Sequence, residues 1–130
     1  MTHVLLAIDE EAERARRQAE AIADLEFADV TVTVLHVFTD NTEGATIGQF
    51  GPARRAREVL SAADVDVTLA ETSGDPGQEI LAEADEIGAD VISVAGRSRS
   101  PAGKAVFGSV SQQVMLNADV PVLYCPVDPE

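Results

Sequence analysis

The sequence predicts a single α/β domain, an open five-stranded parallel sheet with helices on both faces. Three observations carry this expectation. Short runs of aliphatic and β-branched residues alternate with helix-period segments along all 130 residues. Several of the strand candidates are continuously apolar, as strands covered on both faces are. Each pair of successive strands is separated by a segment long enough for one crossover helix, which parallel pairing requires. No repeat and no low-complexity tract interrupts the alternation.

Residues 3–8 (HVLLAI) form the first strand. Asp9 follows as an expected helix N-cap, with Glu10 and Glu11 in a first turn where the helix dipole favours negative charge. Ala12, Ala15, Ala19, Ile22 and Ala23 then recur at helical spacing and carry a helix to about Leu25. Residues 30–37 (VTVTVLHV) are the second strand. A polar loop runs to Gly51, and Pro52 opens a helix whose buried face is Ala53, Ala56, Val59, Leu60 and Ala63.

Residues 65–70 (VDVTLA) are the third strand. Asp75, Pro76 and Gln78 spell an N-cap, a first-turn proline and the third residue of a capping box. Ile80, Leu81, Ala84 and Ile87 face inward from that helix, and Gly88 ends it in the left-handed conformation. Residues 91–95 (VISVA) are the fourth strand, Val110, Val114, Met115 and Ala118 line the last helix, and residues 120–125 (VPVLYC) are the fifth strand. Pro121 cannot donate to a ladder, which assigns that strand to a sheet edge.

Charge and composition narrow the function. Twenty-three acidic residues face nine basic ones, for a net charge of −14. That balance excludes general nucleic-acid binding, which needs a basic face. Lys104 is the only lysine beside eight arginines, and an acid-rich, lysine-poor surface is the halophile pattern, tolerated under strong salt screening. No apolar run approaches membrane-spanning length. No secretory leader is legible, and Cys125 has no intrachain partner, so a reducing cytoplasm is expected.

Against this background residues 96–109 (GRSRSPAGKAVFGS) stand out. Arg97, Arg99 and Lys104 lie in a stretch with no Asp or Glu from Val91 to Ala118. A basic, glycine-bearing loop between a strand's carboxyl end and a helix N-terminus is built to hold an anion. In open parallel sheets ligands bind beyond the strands' carboxyl ends, at the point where strand order reverses.

The whole chain resembles the universal stress protein family. The resemblance rests on the opening VLLAID, the second strand ending His36-Val37, Gly74-Asp75-Pro76, the run GADVI at 88–92, and Gly108-Ser109-Val110-Ser111 through Val120-Pro121-Val122-Leu123. It implies a Rossmann-like sheet ordered 3-2-1-4-5, of the adenine nucleotide alpha hydrolase type. It also implies a homodimer, formed through the C-terminal edge strand near Val120 to Cys125. Members that bind ATP carry a glycine, two residues, a second glycine, nine residues, then glycine with serine or threonine. Gly96 matches the first position and Gly108-Ser109 the last pair, while Arg99 occupies the second and the span is one residue short. Carried over, Asp9 beside Ile8 contacts the nucleoside and Val37 the adenine through its backbone. Gly96, Gly108, Ser109 and Ser111, flanking Val110, hold phosphates, with Mg as their counter-ion. Gly103 is placed to compensate for the missing glycine, and Arg97, Arg99 and Lys104 supply charge-assisted bonds.

The alternatives remain in view. The altered glycine motif also suits a dimeric stress or scaffold module of the same fold that binds no nucleotide. Asp9 is explained as a cap alone, and Gly108-Ser109 as a turn. The Arg14-Arg16-Arg17 and Arg54-Arg55-Arg57 groups are expected on solvated helix faces beside acidic neighbours, and His36 as a hydrogen-bonded core residue. No metal-ligand spacing, nucleophile elbow or P-loop is present, so at most slow ATP hydrolysis is expected. A phosphoacceptor receiver domain is excluded, because Glu71-Thr72 and Cys125-Pro126 stand where that fold needs Asp and Lys.

Overall fold

A computed structural model describes residues 2–25, 29–38, 47–96 and 108–126. Five strands, β1 (Thr2–Ile8), β2 (Val30–Phe38), β3 (Asp66–Ser73), β4 (Val91–Gly96) and β5 (Val122–Pro126), form one sheet in the order β3-β2-β1-β4-β5. All four pairings are parallel. The helices α1 (Ala12–Asp24), α2 (Gly51–Ala62), α3 (Pro76–Ile87) and α4 (Ser109–Asn117) fill the crossovers, with a 3-10 turn at Ile47–Gln49 before α2.

The unbroken apolar run of β1 is explained by its two covered faces. Val4, Leu6 and Ile8 point into a core with Ala15, Ala19 and Ile22 of α1 and Ala53, Ala56 and Leu60 of α2. Leu5 and Ala7 alternate to the other face and meet Ile80 and Ala84 of α3 and Val114 of α4. β3 is an outer strand and alternates between half-buried and exposed positions. β5 is the opposite edge, as Pro121 predicts, although the proline itself precedes the strand and its carbonyl accepts the Ile92 N–H at 3.0 Å.

Several boundaries differ from the sequence expectation. The N-cap of α1 is Glu11, whose carboxylate accepts the Glu13 N–H at 3.5 Å. Asp9 sits two residues earlier and accepts the Glu11 N–H at 2.9 Å, making an Asx turn before the helix rather than its cap. Ala63 is exposed, because α2 has already ended and Asp64 turns the chain at φ 62°. β3 runs on to Ser73, three residues past the apolar stretch, because its backbone pairs with β2 as far as Phe38↔Ser73. The start of α3 is as expected: Asp75 accepts the Gln78 N–H at 3.1 Å, Pro76 opens the helix and Gly88 closes it at φ 66°.

Candidate functional site

A cleft of about 400 Å³ opens at the carboxyl ends of β1, β2 and β4. It straddles the point where strand order reverses, and its size lies within the ~300–1,000 Å³ of small-molecule sites. One wall is Ile8, Asp9 and Arg14 from the end of β1 and the start of α1. A second is Leu35, His36 and Val37 of β2, and Pro76 and Ile80 of α3 close the side. The far end is Gly108, Ser109, Val110 and Ser111, the N-terminus of α4.

That last end is suited to an anion. Gly108 offers no side-chain cap to α4, and the first intrahelical bond there runs from the Gln112 N–H to the Gly108 carbonyl at 3.0 Å. The N–H groups of Ser109, Val110 and Ser111 precede that bond and have no acceptor within the helix. They carry the positive end of the helix dipole toward the cleft. Ser111 is buried, and its hydroxyl donates to the Ala95 carbonyl at 3.1 Å. That bond fastens the helix start to the end of β4, so what Ser111 offers a ligand is its backbone N–H rather than its hydroxyl proton.

The opposite end carries a charge pair. Arg14 Nε donates to Asp9 Oδ2 at 2.6 Å, and both side chains are partly exposed. Arg14 was expected on a solvated face; one helical turn past the Asx turn, it instead faces back over the carboxylate and lines the cleft. Arg16 and Arg17 do lie outside, where Arg16 engages Glu13 and also Glu20 at 2.5 Å. Its bond to Glu13 holds that carboxyl below the ordinary range and raises the guanidinium.

His36 is a core residue as expected, its Nδ1 3.2 Å from the Ile8 carbonyl, which can only accept. Its ring stacks on Phe50 with centroids 4.1 Å apart and meets Phe38 edge-on at 4.6 Å. It also lines the cleft, a placement its apolar surroundings in the sequence did not signal. Pro76 and Ile80 were legible only as a helix start and an inner face.

Gly96 ends β4 beside this cleft, and its lack of a side chain has a packing cause. A Cβ there would stand 1.6 Å from the Tyr124 hydroxyl of β5. The ring lies across the glycine, two residues along from the Val94↔Tyr124 pair. Arg97, Arg99, Gly103 and Lys104 lie outside the described residues. Among the described residues, no group of three His, Cys, Asp or Glu could hold a metal ion. Among the described residues, no helix is long and apolar enough to cross a membrane.

Comparison with known proteins agrees with this fold. Residues 1–126 match the universal stress protein family. The stress response protein NhaX of Bacillus subtilis (strain 168) is 30% identical over 103 residues, or 79% of this chain, and the chain spans 58% of that relative's length. A universal stress protein from Archaeoglobus fulgidus superposes with a TM-score of 0.78 at 26% identity, over 95% of this chain and 98% of that one. The structure of the universal stress protein from Archaeoglobus fulgidus in complex with dAMP gives 0.71 at 21% identity, over 95% and 97% of the two chains. The fold has the five-stranded order and four helices of the adenine nucleotide alpha hydrolase type. With the family matched along 126 of its 130 residues, the chain belongs to the universal stress protein family.

Proposed function

We propose that the chain is a cytoplasmic stress-response regulator that binds an adenine nucleotide in the cleft. The observation that carries this reading is the polarity of one cavity. The uncapped start of α4 lies at one end and the Asp9–Arg14 pair at the other, with apolar β2 and α3 residues between. A phosphate suits the helix N-terminus, a sugar hydroxyl suits a carboxylate held in place, and a flat base suits the apolar middle. The dAMP complex of the Archaeoglobus fulgidus relative supports the choice of adenine.

Asp9 has one oxygen engaged by Arg14 and the other by the Glu11 N–H, which fixes the carboxylate without exhausting its lone pairs. Mg would enter on the nucleotide's phosphates, since the described carboxylates offer no three-ligand set. The proposed role is binding, with a change of conformation or partner affinity as its output; among the described lining residues, none is arranged as a nucleophile with its base. The loop cations Arg97, Arg99 and Lys104 would add to the phosphate end.

A homodimer formed through β5 is part of the proposal. β5 is an edge strand, and among the described residues it pairs with β4 alone. So is adaptation to high salt, on the charge of −14 and the single lysine. Far-UV circular dichroism in dilute buffer tests the latter, and a native spectrum there would remove it.

The test of function is thermal stabilisation by ATP, ADP and AMP in concentrated salt. A nucleotide at a hundredfold excess over Kd should add ~2.7 kcal/mol. Melting curves unmoved by all three would overturn it. The second reading, a dimeric module without nucleotide, is favoured by Arg99 at the second glycine position and by the shortened span. Under that reading Arg99→Gly would create binding in a chain that has none.

A further inference from the structure

The sheet is forked at the end that carries the cleft. β1 stays paired with β2 through Ile8↔His36, and β4 with β5 through Gly96↔Pro126. Between β1 and β4 the ladder has three pairs and stops at Leu6↔Ser93. Continued in register it would join Ala7 to Val94 and Ile8 to Ala95, and those four residues instead line the cleft. The parted strands leave backbone polar groups that need partners.

Gln18 sits in the crotch of this fork. It projects from α1, is 0% exposed, and its Nε2 donates to the Ala7 carbonyl at 3.0 Å and to the Ser93 hydroxyl at 3.3 Å. Ala7 is the first residue of β1 past the ladder, and Ser93 is the last residue of β4 within it. One side-chain amide therefore spans the point where the strands separate. The same amide leaves its Oε1 buried with no hydrogen-bond partner among the described residues. An apolar residue of equal size would fill the space without that cost, so packing alone does not account for a glutamine.

We infer that Gln18 is a positioning residue for the cleft. It takes up the Ala7 carbonyl, prevents β1 and β4 from zipping further, and so sets the distance between the Asp9 end and the α4 end of the site. Its effect on ligand affinity rests on the nucleotide reading above; its effect on the fork does not.

The test uses Gln18→Met, which keeps length and loses both hydrogen bonds, with Leu60→Ala as a control that lowers stability from a core position of α2 that does not line the cleft. Three things are measured on the folded full chain: AMP affinity by calorimetry, the carbonyl carbon shift of Ala7, and the crystal structure. The expected result is AMP binding at least tenfold weaker in Q18M and unchanged in L60A. The Ala7 carbonyl shift should move in Q18M alone, and its ladder should extend past Leu6↔Ser93. Parent-like affinity together with a ladder that still ends at Leu6↔Ser93 would overturn the inference.

Should Q18M fail to fold, Gln18→Asn takes its place, since the shorter amide cannot reach both Ala7 and Ser93. Weakened AMP binding in Q18N supports the inference, and parent affinity overturns it. If the parent binds no AMP, the functional proposal fails by itself. The ladder end and the Ala7 shift in the variants then decide the fork without reference to any ligand.

Discussion

Replacing Gly96 with alanine is expected to destabilise the domain through one contact. The added Cβ would lie 1.6 Å from the Tyr124 hydroxyl, 2.1 Å from Cζ and 2.7 Å from Cε1. Real Cβ contacts essentially never fall under 3.0 Å, so the ring has to swing away rather than settle. Tyr124 is on an edge strand and can give, which places the cost within the ~1–3 kcal/mol of core overpacking. At ~2.1 cal/mol/K per residue, unfolding 130 residues carries about 0.27 kcal/mol/K, so Tm should fall by roughly 4–11 °C. Calorimetric melts of parent and Gly96→Ala in concentrated salt measure it. The same substitution in a Tyr124→Ala background should cost little, because the obstructing ring is gone. A Gly96→Ala protein melting within about 1 °C of the parent would refute the reasoning, since so small a shift corresponds to a few tenths of a kcal/mol. So would an undiminished cost in the Tyr124→Ala background.

Other expectations follow from the packing and the caps. Asp75→Ala removes the acceptor of the Gln78 N–H and should cost ~0.5–2 kcal/mol in a denaturant titration, with Asp75→Asn near the parent. Leu60, wholly buried between α2 and the sheet, should cost ~2–5 kcal/mol as Leu60→Ala in the same assay. Burial pushes the Cys125 thiol above its ordinary pKa, so iodoacetamide should alkylate it more slowly in the native than in the denatured chain at equal pH. The same shift sets a sign for stability. A raised thiol pKa contributes stability that is full below the unfolded value and is lost as pH rises through the folded one. Cys125→Ser should accordingly flatten the alkaline limb of the stability profile.

Local chemistry made much of this protein legible. Asp75, Pro76 and Gly88 fix the ends of α3 through hydrogen bonds and a backbone conformation confined to a few neighbouring residues. The two-faced apolar run of β1 announces a sheet covered on both sides. The resemblance in motifs supplied the strand order, which periodicity alone does not contain. Ile8, Asp9, Val37, Gly108 and Ser109 are candidate site residues in the sequence, and the fold gathers them around one cleft.

What tertiary structure alone decided depends on contacts between residues far apart in the chain. Arg14 and Arg16 are two positions apart with the same composition around them. Both make local ion pairs, Arg14 with Asp9 and Arg16 with Glu13 and Glu20, but only the stacking of β2, α3 and α4 against the end of β1 puts Arg14 on a cleft. Gly96 looked like a phosphate glycine, yet the atom that forbids a side chain there belongs to Tyr124, twenty-eight residues on. Gln18 reads as an ordinary helix residue until Ala7 and Ser93 are brought to either side of it. Propensity, capping and period are short-range quantities and can be read along the chain. Which side chain ends in a cleft is set by how the layers stack, and no window of the sequence holds that information.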